Sequence, residues 1–511
     1  MPFLAQQHVP IPTKDILSWT FDELSYGLDK PIYIDAQDPS RYYTARTART
    51  LIRQLAAGFR AIGVRPGDCV SIHSFNDICY PLFFLGLIAA GGIFAGTNPA
   101  YTAHELAHVL KTARVKYVLT QPQFLKSVLK ATQATGIPRE RVIIFNPKGE
   151  DAPDGFAHWQ DLLKHGESDW IRFDSYNDSY NAGAARLFSS GTTGLPKAAE
   201  LSHYNLIAQH TLAVEIEKRP YEIRRLVALP LFHAAVAPLT FCTPLRQGES
   251  TYIFPRFDLE TWLEAQSKYQ ITELAAVPPI VVLAVNSPLI EKFSLKSIRM
   301  AACGAAPLDK DMQARLKKYL KDDVPFTQVW GMTELSCMCT RHPWPDHDTT
   351  GSIGVPLPNI DVKLVDDDGR DITAYGVRGE ICIRGPTVIR GYFENPGANK
   401  QDWDEDGFFH TGDICYVDEK TGFYYIVDRK KELIKVRGFQ VAPPELEGVL
   451  LAHPQIVDCA VIGVPDPRLK GGIVFVPAIP KNASGKILKK DLRERAKSEM
   501  LREKREGDAK L

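Results

Sequence analysis

A chain of 511 residues exceeds the usual size of one folding unit, so two or more domains are expected. Lysine plus arginine and aspartate plus glutamate each number 61, which leaves no net charge and no global pull toward nucleic acid or an anionic membrane. Nine scattered cysteines without a C-x-x-C spacing argue against a zinc site or a disulfide framework and suit a reducing compartment.

The N-terminal stretch lacks a basic region followed by an apolar core, so no secretory signal is expected. Thr44 is placed to cap a helix in which Ala48, Leu51, Ile52, Leu55, Phe59 and Ile62 recur at helical spacing, and Gly63 stops it. VSIHSF (70–75) then reads as a strand. Residues 80–97 carry no charge, but Pro81 and the Gly91-Gly92 pair interrupt them; a buried core helix with a following strand is expected there, rather than a membrane span. KYVLT (116–120), a helix near 123–133 and RVIIFN (141–146) continue the alternation of a layered α/β domain with a parallel sheet. ARLF (185–188) suits a strand and SHYNLIAQHTLAV (202–214) a helix. A second α/β round runs through RLVALPLFH (225–233), TYIF (251–254), ELAAVPP (273–279) and SIRMAACG (297–304). From about Gly351 the texture changes to short alternating strands such as DVKLV (361–365) and GEICIRG (379–385), which read as a small antiparallel barrel or sheet. No internal repeat is visible.

Between ARLF and the helix that follows lies LFSSGTTGLPK (187–197), whose small residues let backbone N–H groups and hydroxyls approach an anion closely. Lys197 follows Gly194 by three residues, so this is not the G-x-x-x-x-G-K-[ST] loop of kinases and GTPases. Alone, such a cluster is as readily a plain loop as a phosphate grip. Four later segments occur in order: TQVWGMTE (327–334), HTGD (410–413), DRKKELIKVRGFQV (428–441) and PKNASGK, ending at Lys486. With the loop, they resemble the adenylate-forming superfamily of acyl-CoA and aryl-CoA ligases, luciferases and nonribosomal-peptide adenylation domains. The resemblance covers nearly the whole chain.

It implies an α/β fold: a large N-terminal AMP-binding domain (1–428) of two layered α/β subdomains plus a small β-barrel subdomain, then a small mobile α+β domain (429–511) hinged at Lys431. It also implies a reaction in two halves, in which a carboxylate displaces pyrophosphate from ATP to give an acyl-adenylate and a thiol then displaces AMP. Charge neutralisation dominates such chemistry. By resemblance, Ser189, Ser190, Gly191, Thr192, Thr193, Gly194 and Lys197 would hold the β- and γ-phosphates, Thr333 the α-phosphate and Glu334 a Mg2+ ion. Asp413 would accept the ribose hydroxyls with help from Arg429. Adenine would lie between the Gly304-Ala305-Ala306 turn and Trp330-Gly331, where Trp330 replaces the family's common tyrosine. Lys486 would catalyse adenylation; Lys435, Arg437, Gly438 and Gln440 would replace it after rotation and shape the tunnel for the CoA thiol. His233 would orient the acid and gate the thiol, and Ala234, Ala235, Val277, Cys303, Leu335 and Met338 suggest an apolar pocket roomy enough for a medium-chain or bulky aromatic acid. Taken singly, each residue has a plainer reading: an aspartate after Thr-Gly is a turn acceptor, a tryptophan or lone histidine is core, and Lys486 is one solvated lysine among several.

One stretch departs from the family pattern. VIGVPDP (461–467) normally leads into a strand, a helix and another strand, but here RLKGGIVFVPAIPK follows at once, with twenty positions from Asp466 to Lys486. The resemblance therefore implies that several tens of residues of the small domain are missing after Pro467, which would expose sheet edges and apolar groups. The expected function is an ATP-dependent acid-CoA ligase similar to 4-coumarate-CoA ligases and medium-chain acyl-CoA synthetases. The alternatives are an adenylation enzyme that passes its acyl group to a carrier protein, and an ATP- and acyl-binding protein whose turnover is impaired by the gap. Ala509-Lys510-Leu511 resembles a relaxed peroxisomal address read by an import receptor; otherwise a cytoplasmic location is expected.

Overall fold

The computed structural model describes residues 1–508 except 152, 190–195, 437–438, 452, 454, 457, 465–472 and 482–486. Two seven-stranded sheets form most of the large domain. The first runs Ala157–His158, Val142–Ile144, Val115–Thr120, Cys69–His73, Ile93–Thr97, Gly183–Ser189, Lys197–Ser202. Every neighbouring pair is parallel except the last. The second runs Phe326–Gln328, Met300–Cys303, Glu273–Ala276, Arg224–Val227, Ser250–Ile253, Pro31–Asp35, Tyr42–Thr44, and again only the last pair is antiparallel. The two sheets thus share a format that no repeat in the sequence announces, because burial rather than residue identity defines it.

Local chemistry explains the helices beside them. Thr44 caps Ala45–Ala61 by accepting from the Thr47 amide, and the Thr47 hydroxyl accepts from the Thr44 amide in return. The buried stripe of this helix packs on Cys79–Ala89, where a Cβ on Gly86 would come within 2.5 Å of Leu55 Cβ. All eleven residues of Cys79–Ala89 are buried, which accounts for a helix apolar on every side. Among the described residues no helix is long and apolar enough to cross a membrane.

After the glycine-rich loop, the chain first forms the edge strand Lys197–Ser202, an element the sequence pattern did not signal, and then the helix His203–His210. Where the periodicity predicts an α-helix through Val214, the structure instead has a π-helical turn, Thr211–Glu215. The Ala213 carbonyl in that turn accepts from Arg341 Nη1 at 3.0 Å.

The stretch read as a small barrel consists of two antiparallel sheets. One contains Trp330–Met332, Cys337–Arg341 and Val355–Pro356; the other contains Asp361–Val365, Gly379–Arg384, Phe409–Val417 and Tyr424–Arg429 in that order, with Phe3 bridged to Val362 along its first strand. They share one apolar core that includes Trp330, Leu335, Val362, Ile381 and Phe409. Beyond Arg429 come the paired strands Ile434–Val436 and Phe439–Val441 and the helices Pro443–Leu451 and Lys489–Asp508. Ion pairs Lys489–Glu447 (2.9 Å) and Arg493–Glu432 tie the last helix to the rest of this part. The gap expected after Pro467 lies outside the described residues; Ile473, Val474 and Phe475 are 76, 66 and 90% exposed and belong to no strand.

Asp428, at the end of the last strand of the large domain, is buried, and its Oδ2 has no hydrogen-bond partner among the described residues. Burial pushes its carboxyl up to about 6, above the value near 3.9 expected when unfolded. The folded state therefore favours the neutral acid, and this preference is lost as pH rises from about 4 through about 6. Asp428→Asn is expected to raise the melting temperature at pH 8 and to leave it nearly unchanged at pH 4, which thermal melts at the two pH values check.

Candidate active site

A cavity of about 750 Å³ opens beyond the carboxyl ends of parallel strands from both large sheets. Open α/β sheets place ligands there, because the loops that leave these strand ends can each present different chemistry. Gly96, Ser189, His233, Val277 and Gly304 reach it from successive strand ends, and Trp330, Thr333 and Glu334 close one side.

One lobe carries the polar groups. Ser189 and Lys197 face each other in register at the two ends of the glycine-rich loop, and both line the cavity. The buried Ser189 hydroxyl has no partner among the described residues. Lys197 Nζ lies 2.7 Å from Asp402 Oδ2 and 3.9 Å from the centre of the Tyr392 ring. Glu334 sits in the tight turn Thr333–Leu335, buried, with its Oε1 accepting from the Tyr392 hydroxyl at 2.8 Å. Burial and the Glu334 carboxylate hold the Tyr392 phenol well above its ordinary range, so it remains a donor. No motif pointed to Tyr392 or Asp402.

Trp330 is buried at the cavity wall, and its indole N–H donates to Asp413 Oδ2 at 2.9 Å. The strand register puts Asp413 opposite Arg429, whose Nε lies 3.3 Å from Oδ1. Asp413 itself does not line the cavity, although Thr411, Gly412 and Arg429 do. Its strand is held at Gly412 by Glu380: burial alone would raise that carboxyl, but His410, Lys430 and the Gly412 amide hold it down to about 2. Gly331 admits no side chain, since a Cβ there would fall 1.7 Å from the Cys337 carbonyl. Gly304 and the left-handed Ala305 (φ 70°) line the cavity, whereas Ala306 does not.

The other lobe begins at His233, whose Nδ1 accepts from the Ala235 amide at 3.1 Å and so leaves the proton of a neutral ring on Nε2. Ala234, Ala235, Val277 and Met338 line this lobe as expected. Two expected residues do not. Cys303 is buried in the core beneath the second sheet, because strand alternation turns Met300 and Ala302 to the cavity and Cys303 away. Leu335 is fully buried in the core of the antiparallel sheets. Deeper residues, among them Leu239, Arg225 and Glu273, also line this lobe and carried no sequence signal.

From the small-domain side, Arg429, Lys430, Lys431 and Leu488 line the cavity. Lys435 and Gln440 oppose each other across the two paired strands. Ser190, Gly191, Thr192, Thr193, Gly194, Arg437, Gly438 and Lys486 lie outside the described residues. Among the described residues no three His, Cys, Asp or Glu side chains form a metal cage. Of the two carboxylates lining this lobe, Asp402 is paired with Lys197, and Glu334 fits Mg2+, which keeps several waters and shares its remaining positions with phosphate oxygens.

Residues 24–393 match the AMP-binding enzyme family and residues 445–506 match the AMP-binding enzyme C-terminal domain. The chain belongs to this family, the adenylate-forming enzymes. It is 48% identical to the acyl-CoA ligase azaF of Aspergillus niger, over 96% of this chain and 100% of that protein. It is equally 48% identical to the phenylacetyl-CoA ligase epaB of Aspergillus niger, over 97% of this chain and 99% of that one. The alignment with azaF spans 529 positions, more than the 511 residues here, so that relative contains residues this chain lacks. Among solved structures, the anthranilate CoA ligase AuaEII in complex with anthranoyl-AMP shares the fold, with a TM-score of 0.85 at 23% identity over 96% of this chain and 99% of that one.

Proposed function

We propose that this enzyme is an ATP-dependent acid-CoA ligase that activates an aromatic or medium-chain carboxylic acid through an acyl-adenylate. The observation that carries the reading is one cavity with a phosphate-suited lobe around Ser189, Lys197, Thr333 and Glu334 and an acid-suited lobe beyond His233. The names of the two Aspergillus niger relatives, an acyl-CoA and a phenylacetyl-CoA ligase, support it.

In the first half-reaction the carboxylate attacks the α-phosphorus and expels pyrophosphate. The Lys197 ammonium, the Ser189 hydroxyl and the loop 190–194 bind the leaving phosphates, and Thr333 donates to the α-phosphate. Glu334 holds Mg2+, which neutralises phosphate charge when bound. Asp413 and Arg429 fix the ribose, and Trp330 and the Gly304-Ala305 turn flank the adenine. The domain break follows residue 428, Lys431 is the hinge, and Lys486 supplies the mobile positive charge of adenylation. After rotation, Lys435, Arg437, Gly438 and Gln440 line the thiol path, the CoA sulfur attacks the acyl carbon, and AMP leaves. His233, fixed through Nδ1, presents Nε2–H to the acid. The residues missing relative to azaF are assigned to the small domain after Pro467. Ala509-Lys510-Leu511, through its small-basic-leucine pattern, is assigned to a peroxisomal import receptor.

Incubation with ATP, Mg2+, CoA and a panel of aryl and medium-chain acids is expected to give AMP and an acyl-CoA thioester. Pyrophosphate exchange without thioester would favour transfer to a carrier protein. ATP binding with neither activity would mark a variant impaired by the missing segment.

A further inference from the structure

The acid lobe does not end in an apolar floor. Three neighbouring strands of the second sheet stand in register with Arg225 opposite Glu273 and Glu273 opposite Met300, and all three side chains line the cavity. Two residues along, Ala275 lies opposite Ala302, and both also line it. The alanines leave an open shaft. It leads from the level of Leu229 and Val277 down to the charged row, four residues along each strand or about 13 Å at the usual strand rise.

Around that row lies a closed group of charges. Arg219 Nε lies 3.3 Å from Glu273 Oε1 and its Nη1 3.1 Å from Glu217 Oε2. Arg341 Nη2 lies 2.7 Å from Glu217 Oε1, and Arg225 Nε 2.6 Å from Glu249 Oε2. The Tyr221 hydroxyl donates to Glu273 Oε1 at 2.9 Å. Three arginines thus balance three glutamates, and the floor is electrically neutral. Most of these side chains are nearly closed off, with Arg219 and Glu273 each 9% exposed and Arg341 7%. Arg225 differs in staying 29% exposed, and together with Glu273 it lines both the main cavity and an adjoining chamber of about 110 Å³. Its bonds to described residues use three of its five N–H groups, two of them at 3.4 and 3.5 Å. The single described partner of Glu273 Oε2 is that 3.4 Å contact. A donor and an acceptor therefore stand side by side at the bottom of an apolar shaft.

We propose, resting on the acid-CoA ligase reading, that the substrate is an acid with a hydroxyl group remote from its carboxylate, such as a hydroxyaryl or ω-hydroxy acid, whose hydroxyl accepts from Arg225 and donates to Glu273. An unsubstituted acid of the same length would desolvate these groups without replacing their partners, which is costly. A second carboxylate would face Glu273, and an amine would face Arg225. A hydroxyl answers both, and the neutrality of the floor selects it over either ion.

The test compares kcat/KM for AMP formation with acids of matched length: 4-hydroxycinnamic against cinnamic acid, and 8-hydroxyoctanoic against octanoic, octanedioic and 8-aminooctanoic acids. The wild-type enzyme is expected to prefer the hydroxy acid in each series by about 100-fold. In Glu273→Gln and Arg225→Met the ratio of hydroxy to unsubstituted acid is expected to fall toward one. Equal or inverted rates in the wild type, or preference for the dicarboxylic acid, would overturn the proposal while leaving the ligase reading intact. No AMP from any acid would instead sink the ligase reading. The wild-type ratio decides the matter even if Arg225→Met does not fold.

Discussion

Lys197→Ala is expected to lower kcat/KM for ATP by about 100-fold or more, because a cation beside the departing phosphates is among the strongest contributions to this chemistry. The surroundings sharpen the expectation. Lys197 is clamped between the Asp402 carboxylate, 2.7 Å away, and the face of the Tyr392 ring. Removing the ammonium both withdraws a positive charge from the phosphates and leaves an uncompensated negative one beside them. The double variant Lys197→Ala/Asp402→Asn should therefore recover part of the loss, and ATP–pyrophosphate exchange measures both. A single variant as active as the wild type would remove Lys197 from the phosphate site.

Glu334→Gln should cut the rate of acyl-adenylate formation by about 100- to 1,000-fold, on the scale seen when one electrostatic group is lost from a preorganised site. The amide oxygen can still accept from the Tyr392 hydroxyl, so the tight turn keeps its anchor and the melting temperature should hardly change. What disappears is the negative charge for the cation. The variant should accordingly need more Mg2+ for half-maximal rate, while thioester formation from supplied acyl-adenylate should suffer much less. Rapid-quench measurement of the two half-reactions separates these outcomes. Equal loss in both would assign Glu334 to the architecture instead.

The parts of this site that could be read from the sequence are those whose chemistry is local. Ser189 and Lys197 stand out because small residues and a lysine cluster within one loop, Thr333-Glu334 lies in a short polar break between strands, and Asp413 is an acidic residue after Thr411-Gly412. The helix Ala45–Ala61 was equally plain, because its cap and apolar stripe sit in consecutive turns. What escaped depends on register. Whether Ala302 or Cys303 faces the cavity turns on a one-residue phase that a four-residue strand does not reveal. Arg225, Glu273 and Met300 lie far apart in the chain and become one row only through parallel pairing. Tyr392, ahead of the short helix Pro396–Asp402, and Asp402, at its end, reach the site with no motif of their own. Lys197–Ser202 escaped because the strand is short and has a charged glutamate in its middle.

The widened turn Thr211–Glu215 has a consequence for the size of acid that can be held. A π turn is one extra residue inserted into an α-helix, and restoring regular winding would swing everything downstream by about 100° around the axis. Glu217, two residues beyond, would lose its alignment with Arg219 and Arg341, and the bottom of the shaft would come undone. On the proposed binding mode, a single inserted residue would set how deep a guest can sink, and a chain of this build could change its preferred guest length by losing it, with no substitution in the walls.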